Sequence, residues 1–212
     1  LATEHENTYA YRVFTWWKET FPNGEFHYVN GGIGGTTSHY GVSRAVTDVL
    51  MYQPDFVVVD FSVNDEPDEF FQETYEGVIR KLLQWKSEPA VVILNNVFYD
   101  TGKTAQDFHN AVGNWYQVPH VSIKDTLYQE IQQGKYTREE LTPDGLHPND
   151  KGHKLVAEKI IAFLEEVRSH VAEPEDELTF PEPMTQNAYE NARRLTIREI
   201  SPELAGFRAD TE

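Results

Sequence analysis

Two nearly continuous apolar runs of strand length constrain the fold of this chain most. "DFVVVDFS" begins at Asp55 and "AVVILNNV" begins at Ala90. An apolar strand without alternation suits a parallel sheet covered on both faces, because neither side of such a strand meets water. The stretch between the runs can supply the crossover that parallel strands need. The two runs therefore predict a parallel sheet wrapped by helices.

Amphipathic helices are predicted to alternate with the strands. Between the two runs, apolar residues recur at spacings of three and four, at Phe71, Tyr75, Val78, Leu82 and Trp85, which is a helical pattern. Similar patterns predict helices over residues 6–21, 41–52, 104–115 and 124–133, and a long final helix capped by Asn149 or Asp150. The β-prone runs "EFHYVN" at 25–30 and "HVSI" at 120–123 predict two more strands.

This alternation predicts an α/β chain of three layers (α/β/α) with a flavodoxin-like topology, a central parallel sheet and right-handed crossovers. The predicted domain covers residues 1–171. The composition then changes: "AEPEDELTFPEPMTQN" from Ala172 is rich in acid and proline and has no strand or helix period. We therefore predict a linker or tail over residues 172–212, whose last part either packs back on the domain or begins another module.

Charge and composition limit the kinds of partner. The chain has 18 Lys and Arg against 35 Asp and Glu, a formal net charge of −17. Nucleic acid and anionic membranes bind basic surfaces, so neither is expected as a partner. No apolar run is long enough to span a bilayer, and the absence of cysteine rules out a disulfide framework or a thiolate nucleophile. No cofactor is expected. The chain is predicted to be cytoplasmic, and secretion stays open for the case that an upstream signal was removed.

Polar or glycine-rich segments follow the predicted strands. They are "NGGIGGTTS" from Asn30, "SVND" from Ser62, the pair Asn95 and Asn96, and "TPDGLHPND" over residues 142–150 before the final helix. In open parallel sheets, ligands bind outside the carboxyl ends of the strands. We therefore expect the four segments to converge at this edge.

Each segment also has a simpler interpretation. A glycine cluster after a strand supplies a tight turn, or a dinucleotide loop that here lacks its third glycine. Asn64 and Asp65 can cap the next helix, and the Asp144 to His147 stretch has ordinary turn residues. A metal shared by His147 and His153 has no supporting cluster of ligands in the sequence.

The order of three segments resembles a known family. "NGGIGGTTS", "FSVNDE" and "DGLHPND" resemble the second, third and fifth blocks of the SGNH hydrolases, also called the GDSL esterases and lipases. The resemblance implies that Gly35 and Asn64 form the oxyanion hole and that Asp144 and His147 match the family's Asp-x-x-His pair, with His147 as the base and Asp144 as the group that orients it. Ser62 departs from the small glycine or alanine usual in the third block, which should leave Asn64 usable.

The nucleophile block of that family is missing from the sequence. The family carries a Gly-Asp-Ser block after its first strand, and no such block occurs here. Ser38, Ser43 and Ser62 lie in other contexts. The resemblance therefore implies that the first strand and the nucleophilic serine lie upstream of Leu1.

The combination of blocks looks most like the bacterial carbohydrate acetylesterases, some of which carry a carbohydrate-binding module after the hydrolase domain. This implies an esterase that removes acetyl groups from a polysaccharide or oligosaccharide, with Tyr40, Phe98 and Tyr99 as candidates for stacking on sugar rings. Two alternatives stay open: a noncatalytic carbohydrate-binding protein that keeps the fold, and a flavodoxin-like nucleotide binder that uses residues 30–37. The oligomeric state is not indicated.

Overall fold

The computed structural model describes residues 2–170, 180–201, 203, 205 and 206. The helices are α1 (Tyr9–Thr20), α2 (Ser38–Asp48), α3 (Glu69–Leu83), α4 (Gln106–Trp115), α5 (Gln129–Gln132), α6 (Asp150–Ser169) and α7 (Ile197–Ile200). The strands are β1 (Phe56–Val59), β2 (Ala90–Asn95) and β3 (His120–Ser122). Short 3-10 turns cover His5–Asn7 and Leu50–Tyr52, and a π-helical turn, Lys124–Tyr128, leads into α5.

The three strands form one parallel sheet in the order β1, β2, β3. Phe56 lies opposite Ala90, and Ile93 lies opposite His120. The central strand β2 has its side chains buried on both faces, as the continuous apolar run predicted. The apolar runs from Asp55 and Ala90 are therefore neighbouring strands.

Helices cover both faces of this sheet, and the side chains of β2 divide between two cores. Val92 and Leu94 pack with α1 and α6, whereas Val91 and Ile93 pack with α2, α3 and α4. Successive strand residues point to opposite faces, so β2 takes part in both cores. The predicted three-layer α/β/α fold is confirmed.

The predicted strand at residues 25–30 is wrong. Within the described part of the chain these residues form no strand and no ladder hydrogen bonds, and β1 is paired only on its β2 side. A β-prone segment becomes a strand through pairing with a neighbour. Residues 25–30 have no such neighbour here, which explains the irregular conformation.

The start of the final helix agrees with the prediction. The Asn149 side chain accepts a hydrogen bond from Gly152 N at 3.0 Å, which makes Asn149, rather than Asp150, the N-cap of α6. Helix α6 therefore begins three residues after His147. In the part of the chain that the structure describes, no helix is long and apolar enough to cross a bilayer.

Residues 180–194, which we call the strap, pack against the helical layer of α2, α3 and α4. Lys81 Nζ donates to Ala192 O at 2.6 Å, Trp115 Nε1 donates to Glu182 O at 2.9 Å, and Arg194 N donates to Ser43 O at 2.8 Å. The boundary at residues 171 and 172 stays a prediction, because residues 171–179 lie outside the described residues.

Candidate active site

Asp144 and His147 form a hydrogen-bonded pair in the turn before α6. His147 Nδ1 lies 2.7 Å from Asp144 Oδ2, while Asp144 Oδ1 accepts from His147 N at 2.8 Å and from Leu146 N at 3.0 Å. The hydrogen bonds from the His147 side chain and backbone and from Leu146 hold the pKa of Asp144 well below its ordinary value. The ionised carboxylate selects the Nδ1–H tautomer of His147. Within the described chain, the hydrogen bonds of His147 use N and Nδ1, which leaves Nε2 free for a nucleophile.

Turn chemistry shapes this pair. Gly145 has φ +84°, a left-handed conformation that favours glycine. Thr142 is buried, and its Oγ1 accepts from Gly145 N at 3.0 Å. The side chains of His147 and Asp144 are 55% and 49% exposed. Residues 144–147 thus form an ordinary turn, as the simpler interpretation predicted. The same turn also brings Asp144 and His147 together, as the family resemblance predicted.

The loops that carry Gly35 and Asn64 are joined by Asp65. Ser38 N, at the start of α2, donates to Asp65 Oδ1 at 2.8 Å. Gly35 has φ +69°, and a Cβ added there would meet no atom within 4 Å. Gly35 and Asn64 are both exposed. Gly35 and Asn64 are therefore accessible to a ligand. The buried carboxylate of Asp65 connects the two loops that carry them.

Asp65 has a second partner that the sequence analysis missed. His109 Nε2 lies 3.1 Å from Asp65 Oδ2, within hydrogen-bond distance, and both side chains are completely buried. The His109 ring also stacks on Tyr75 at 3.6 Å between centroids. His109 lies among the buried residues of α4, so its spacing resembles that of any core position. A polar residue within that buried stripe was the available signal, and it was a weak one.

Asp60, directly after β1, is another residue that the sequence analysis missed. Its Oδ2 accepts from Tyr9 Oη at 2.9 Å and from Asn96 Nδ2 at 2.6 Å. Burial raises the pKa of this carboxyl, while the hydrogen bonds from Tyr9 and Asn96 oppose the increase. Asn96 was predicted at this edge, and the same rule of inspecting residues after each strand would have found Asp60.

Hydrogen bonds to backbone carbonyl oxygens connect the remaining segments. Ser62 Oγ donates to Asn96 O at 3.0 Å, which joins the loops after β1 and β2. Tyr99 N donates to Gly145 O at 2.7 Å, which joins the loop after β2 to the Asp144 to His147 turn. The four predicted segments are therefore linked to one another by hydrogen bonds at the carboxyl edge of the sheet.

The three serines considered from the sequence have other partners. Ser38 Oγ lies 2.6 Å from Thr74 Oγ1, Ser43 Oγ donates to Tyr40 O, and Ser62 Oγ donates to Asn96 O. None of these hydrogen bonds involves His147.

The metal site considered for His147 and His153 finds no support in the described residues. His153 Nδ1 accepts from Tyr9 N at 3.3 Å, and among the described residues no group of three His, Asp or Glu side chains could hold a metal ion.

One of the aromatic residues considered for stacking on a sugar is buried. Tyr99 is 2% exposed, so the suggestion that it stacks on a sugar is wrong. Its side chain belongs to the core cluster between the sheet and helices α1 and α6, and its backbone lies beside the Asp144 to His147 turn. Tyr40 stays accessible, at 40% exposure.

A parallel three-layer α/β domain with an Asp-x-x-His turn at the carboxyl edge of its sheet is the arrangement that the resemblance to the SGNH hydrolases predicted. The chain belongs to the GDSL-like lipase/acylhydrolase family, whose sequence model matches residues 3–155. The recognition made from the three sequence blocks is confirmed.

Solved structures extend the comparison. A two-domain esterase active on acetylated mannans is 48% identical and covers 90% of this chain, with a TM-score of 0.88. In a crystal with mannopentaose, the TM-score is 0.86. The chain spans about half the length of that esterase, 52% and 50% in the two structures.

More distant matches show the shared fold. An acetyl xylan esterase is 21% identical, with a TM-score of 0.63, over 76% of this chain and 92% of its own. A catalytic mutant of an acetylxylan esterase from Geobacillus stearothermophilus is 15% identical, with a TM-score of 0.63, over 73% of this chain and 80% of its own. No functionally curated protein matches significantly.

Proposed function

We propose that the complete protein is a serine esterase that removes acetyl groups from a polysaccharide or oligosaccharide. The observation that carries this proposal is the Asp144 to His147 pair, whose Nε2 is free and whose turn is joined to the loops of Gly35 and Asn64. The 48% identity to an esterase active on acetylated mannans supports an acetylated saccharide as substrate. A small acyl group is preferred over a long-chain lipid.

Each residue has a defined part in the proposed reaction. His147 Nε2 takes the proton of a serine hydroxyl while the serine oxygen bonds to the carbonyl carbon of the acetyl group. The carbonyl oxygen thereby becomes an oxyanion. Gly35 N–H and the Asn64 side-chain amide donate hydrogen bonds to that oxyanion. His147 then gives its proton to the departing sugar oxygen, and water attacks the acetyl-enzyme by the same route to release acetate. Asp144 stays ionised and orients the imidazole throughout.

The nucleophilic serine is proposed to come from a segment that precedes Leu1. Two observations support this. Ser38, Ser43 and Ser62 are engaged elsewhere, and the outer edge of β1 has no paired strand among the described residues. A strand followed by the nucleophile is the element that the family resemblance implies at this place.

Hydrolysis of 4-nitrophenyl acetate by the complete protein tests the proposal. We expect turnover by the wild type and a loss of about 10⁴-fold or more in kcat for His147→Ala, because the general base is removed. His120→Ala is the matched control. His120 is the exposed first residue of β3, at the amino ends of the strands and so at the end of the sheet opposite the site. Asn64→Ala should cost about 10²- to 10³-fold in kcat through the lost oxyanion donor.

Two results would contradict the mechanism: an inactive wild type, or a His147→Ala variant with full activity. An inactive wild type that still binds an oligosaccharide would instead favour the noncatalytic binding protein. Acetate release from acetylated mannan and acetylated xylan, compared side by side, then identifies the saccharide.

A further inference from the structure

Three aromatic rings, two exposed and one half-buried, form a cluster at the surface beside the candidate active site. The rings of His39, Phe70 and Tyr189 contact one another, with centroids 5.3 Å apart for His39 and Phe70, 5.5 Å for His39 and Tyr189, and 5.8 Å for Phe70 and Tyr189. His39 is exposed, and Phe70 is 41% exposed. We call these three residues the aromatic platform. Tyr189 is the half-buried member and also packs against the core of α2, α3 and α4. Exposed rings grouped like those of His39 and Phe70 are typical of binding surfaces.

The platform lies on the same side of the sheet as the candidate active site. His39 is in the first turn of α2, just after the Gly35 loop, and Phe70 is in the first turn of α3, just after the Asn64 loop. The neighbouring Ser38 is held by Asp65 at 2.8 Å. The platform is therefore fixed to the two loops assigned to the oxyanion hole.

The strap supplies the third ring. Its backbone at Ala188 donates to Glu73 Oε1 at 2.9 Å, and Glu190 forms an ion pair with Arg80 Nε at 3.0 Å. These two contacts to α3 bracket Tyr189 in the sequence and hold its ring against Phe70. The strap therefore contributes to a surface near the site as well as to packing.

We propose that the aromatic platform is a subsite that stacks on an uncharged sugar ring of the saccharide whose acetyl group is removed. This inference rests on the proposed function. Aromatic faces are electron-rich and attract the polarised C–H groups on the face of a sugar ring. Exposed Asp68 and Glu69 lie at the start of α3 beside Phe70. Their charges oppose an anionic sugar, so the platform selects neutral saccharides over those with uronate groups.

The test compares a saccharide substrate with a small ester in the complete protein. For Phe70→Ala and Tyr189→Ala, we expect the ratio of kcat/KM for an acetylated neutral oligosaccharide to kcat/KM for 4-nitrophenyl acetate to fall roughly fivefold or more, through KM. Tyr52→Ala is the matched control: Tyr52 is 59% exposed and lies before β1, at the opposite edge of the sheet. This variant should keep the wild-type ratio.

An unchanged ratio in Phe70→Ala would overturn the proposal, whether kcat/KM stays at the wild-type value for both substrates or falls equally for both, the latter indicating distortion of the oxyanion loops. Phe70 is exposed, so its variant keeps the test decisive even if Tyr189→Ala unfolds. Calorimetric titration with unacetylated mannopentaose measures saccharide binding at the aromatic platform independently of catalysis. Weaker binding by Phe70→Ala supports the platform even if the esterase proposal fails, while equal affinity, or tighter binding of a uronate-bearing oligosaccharide by the wild type, contradicts it.

Discussion

At the level of single residues, hydrogen bonds rather than burial keep Asp144 ionised. Its side chain is about half exposed, yet it accepts from His147 Nδ1 and from two backbone N–H groups. These donors stabilise the charged form of the carboxyl. The local turn is thus sufficient to orient the imidazole before any substrate binds.

Asp144→Asn tests this orientation. The amide can donate as well as accept, so it permits the tautomer with Nε2 protonated, which cannot take the proton of a serine. We expect kcat on 4-nitrophenyl acetate to fall by about 10⁴-fold, with little change in the free energy of unfolding because the side chain is half exposed. Glu139→Gln, an exposed carboxylate paired with Arg138, is the control. A decrease of less than tenfold in Asp144→Asn would remove Asp144 from the proposed mechanism.

At the level of secondary-structure elements, α1 and α6 are in contact through His153, whose pKa is lowered. His153 Nδ1 accepts from Tyr9 N, and the two rings lie 5.7 Å apart. Burial lowers the pKa of His153 to about 4, from an ordinary value of about 6.5. The folded protein therefore keeps His153 neutral where the unfolded chain would protonate it.

This difference predicts how stability depends on pH. Between about pH 6.5 and 4 the unfolded state binds the proton and the folded state does not, so the free energy of unfolding falls as the pH falls through this window. We expect the loss between pH 7 and pH 5, measured by urea unfolding, to be smaller in His153→Gln, whose side chain does not titrate but can still accept from Tyr9 N. The same loss in both proteins would show that His153 is not the responsible group.

For the molecule as a whole, the strap is held by a buried carboxylate on α3. Glu76 is fully buried and accepts hydrogen bonds from Met184 N at 2.5 Å, from Thr185 N at 2.9 Å, and from the hydroxyls of Tyr116 and Thr185. All four partners are donors, so the site is built for an acceptor-only side chain. Glu76 thereby joins α3, α4 and the strap.

Glu76→Gln should loosen the strap. The amide NH₂ group would face N–H and O–H donors, so we expect the free energy of unfolding to fall by about 1–3 kcal/mol and proteolysis within the strap to become faster. Glu158→Gln on the exposed face of α6 is the control. If Glu76→Gln matched the wild type within about 0.5 kcal/mol, the carboxylate would not be what holds the strap.

Local sequence pattern predicted most of the architecture. The apolar runs of β1 and β2, the helical stripe of α3 and the Asn149 cap follow from periodicity and capping chemistry, which act over a few residues. The Asp144 to His147 pair was predictable for the same reason, since both partners lie in one turn. The predicted strand at residues 25–30 failed because pairing with another strand is not a local property.

The sequence by itself therefore determined the α/β class, the principal helices and strands, and the turn that orients His147. Only the tertiary structure decided that Asp65 joins Ser38 to His109, that Asp60 joins Tyr9 to Asn96, and that the strap brings Tyr189 beside Phe70. These contacts connect residues far apart in the chain. No local period encodes them, because they exist only once the crossovers have brought the ends of different strands and helices to one edge of the sheet.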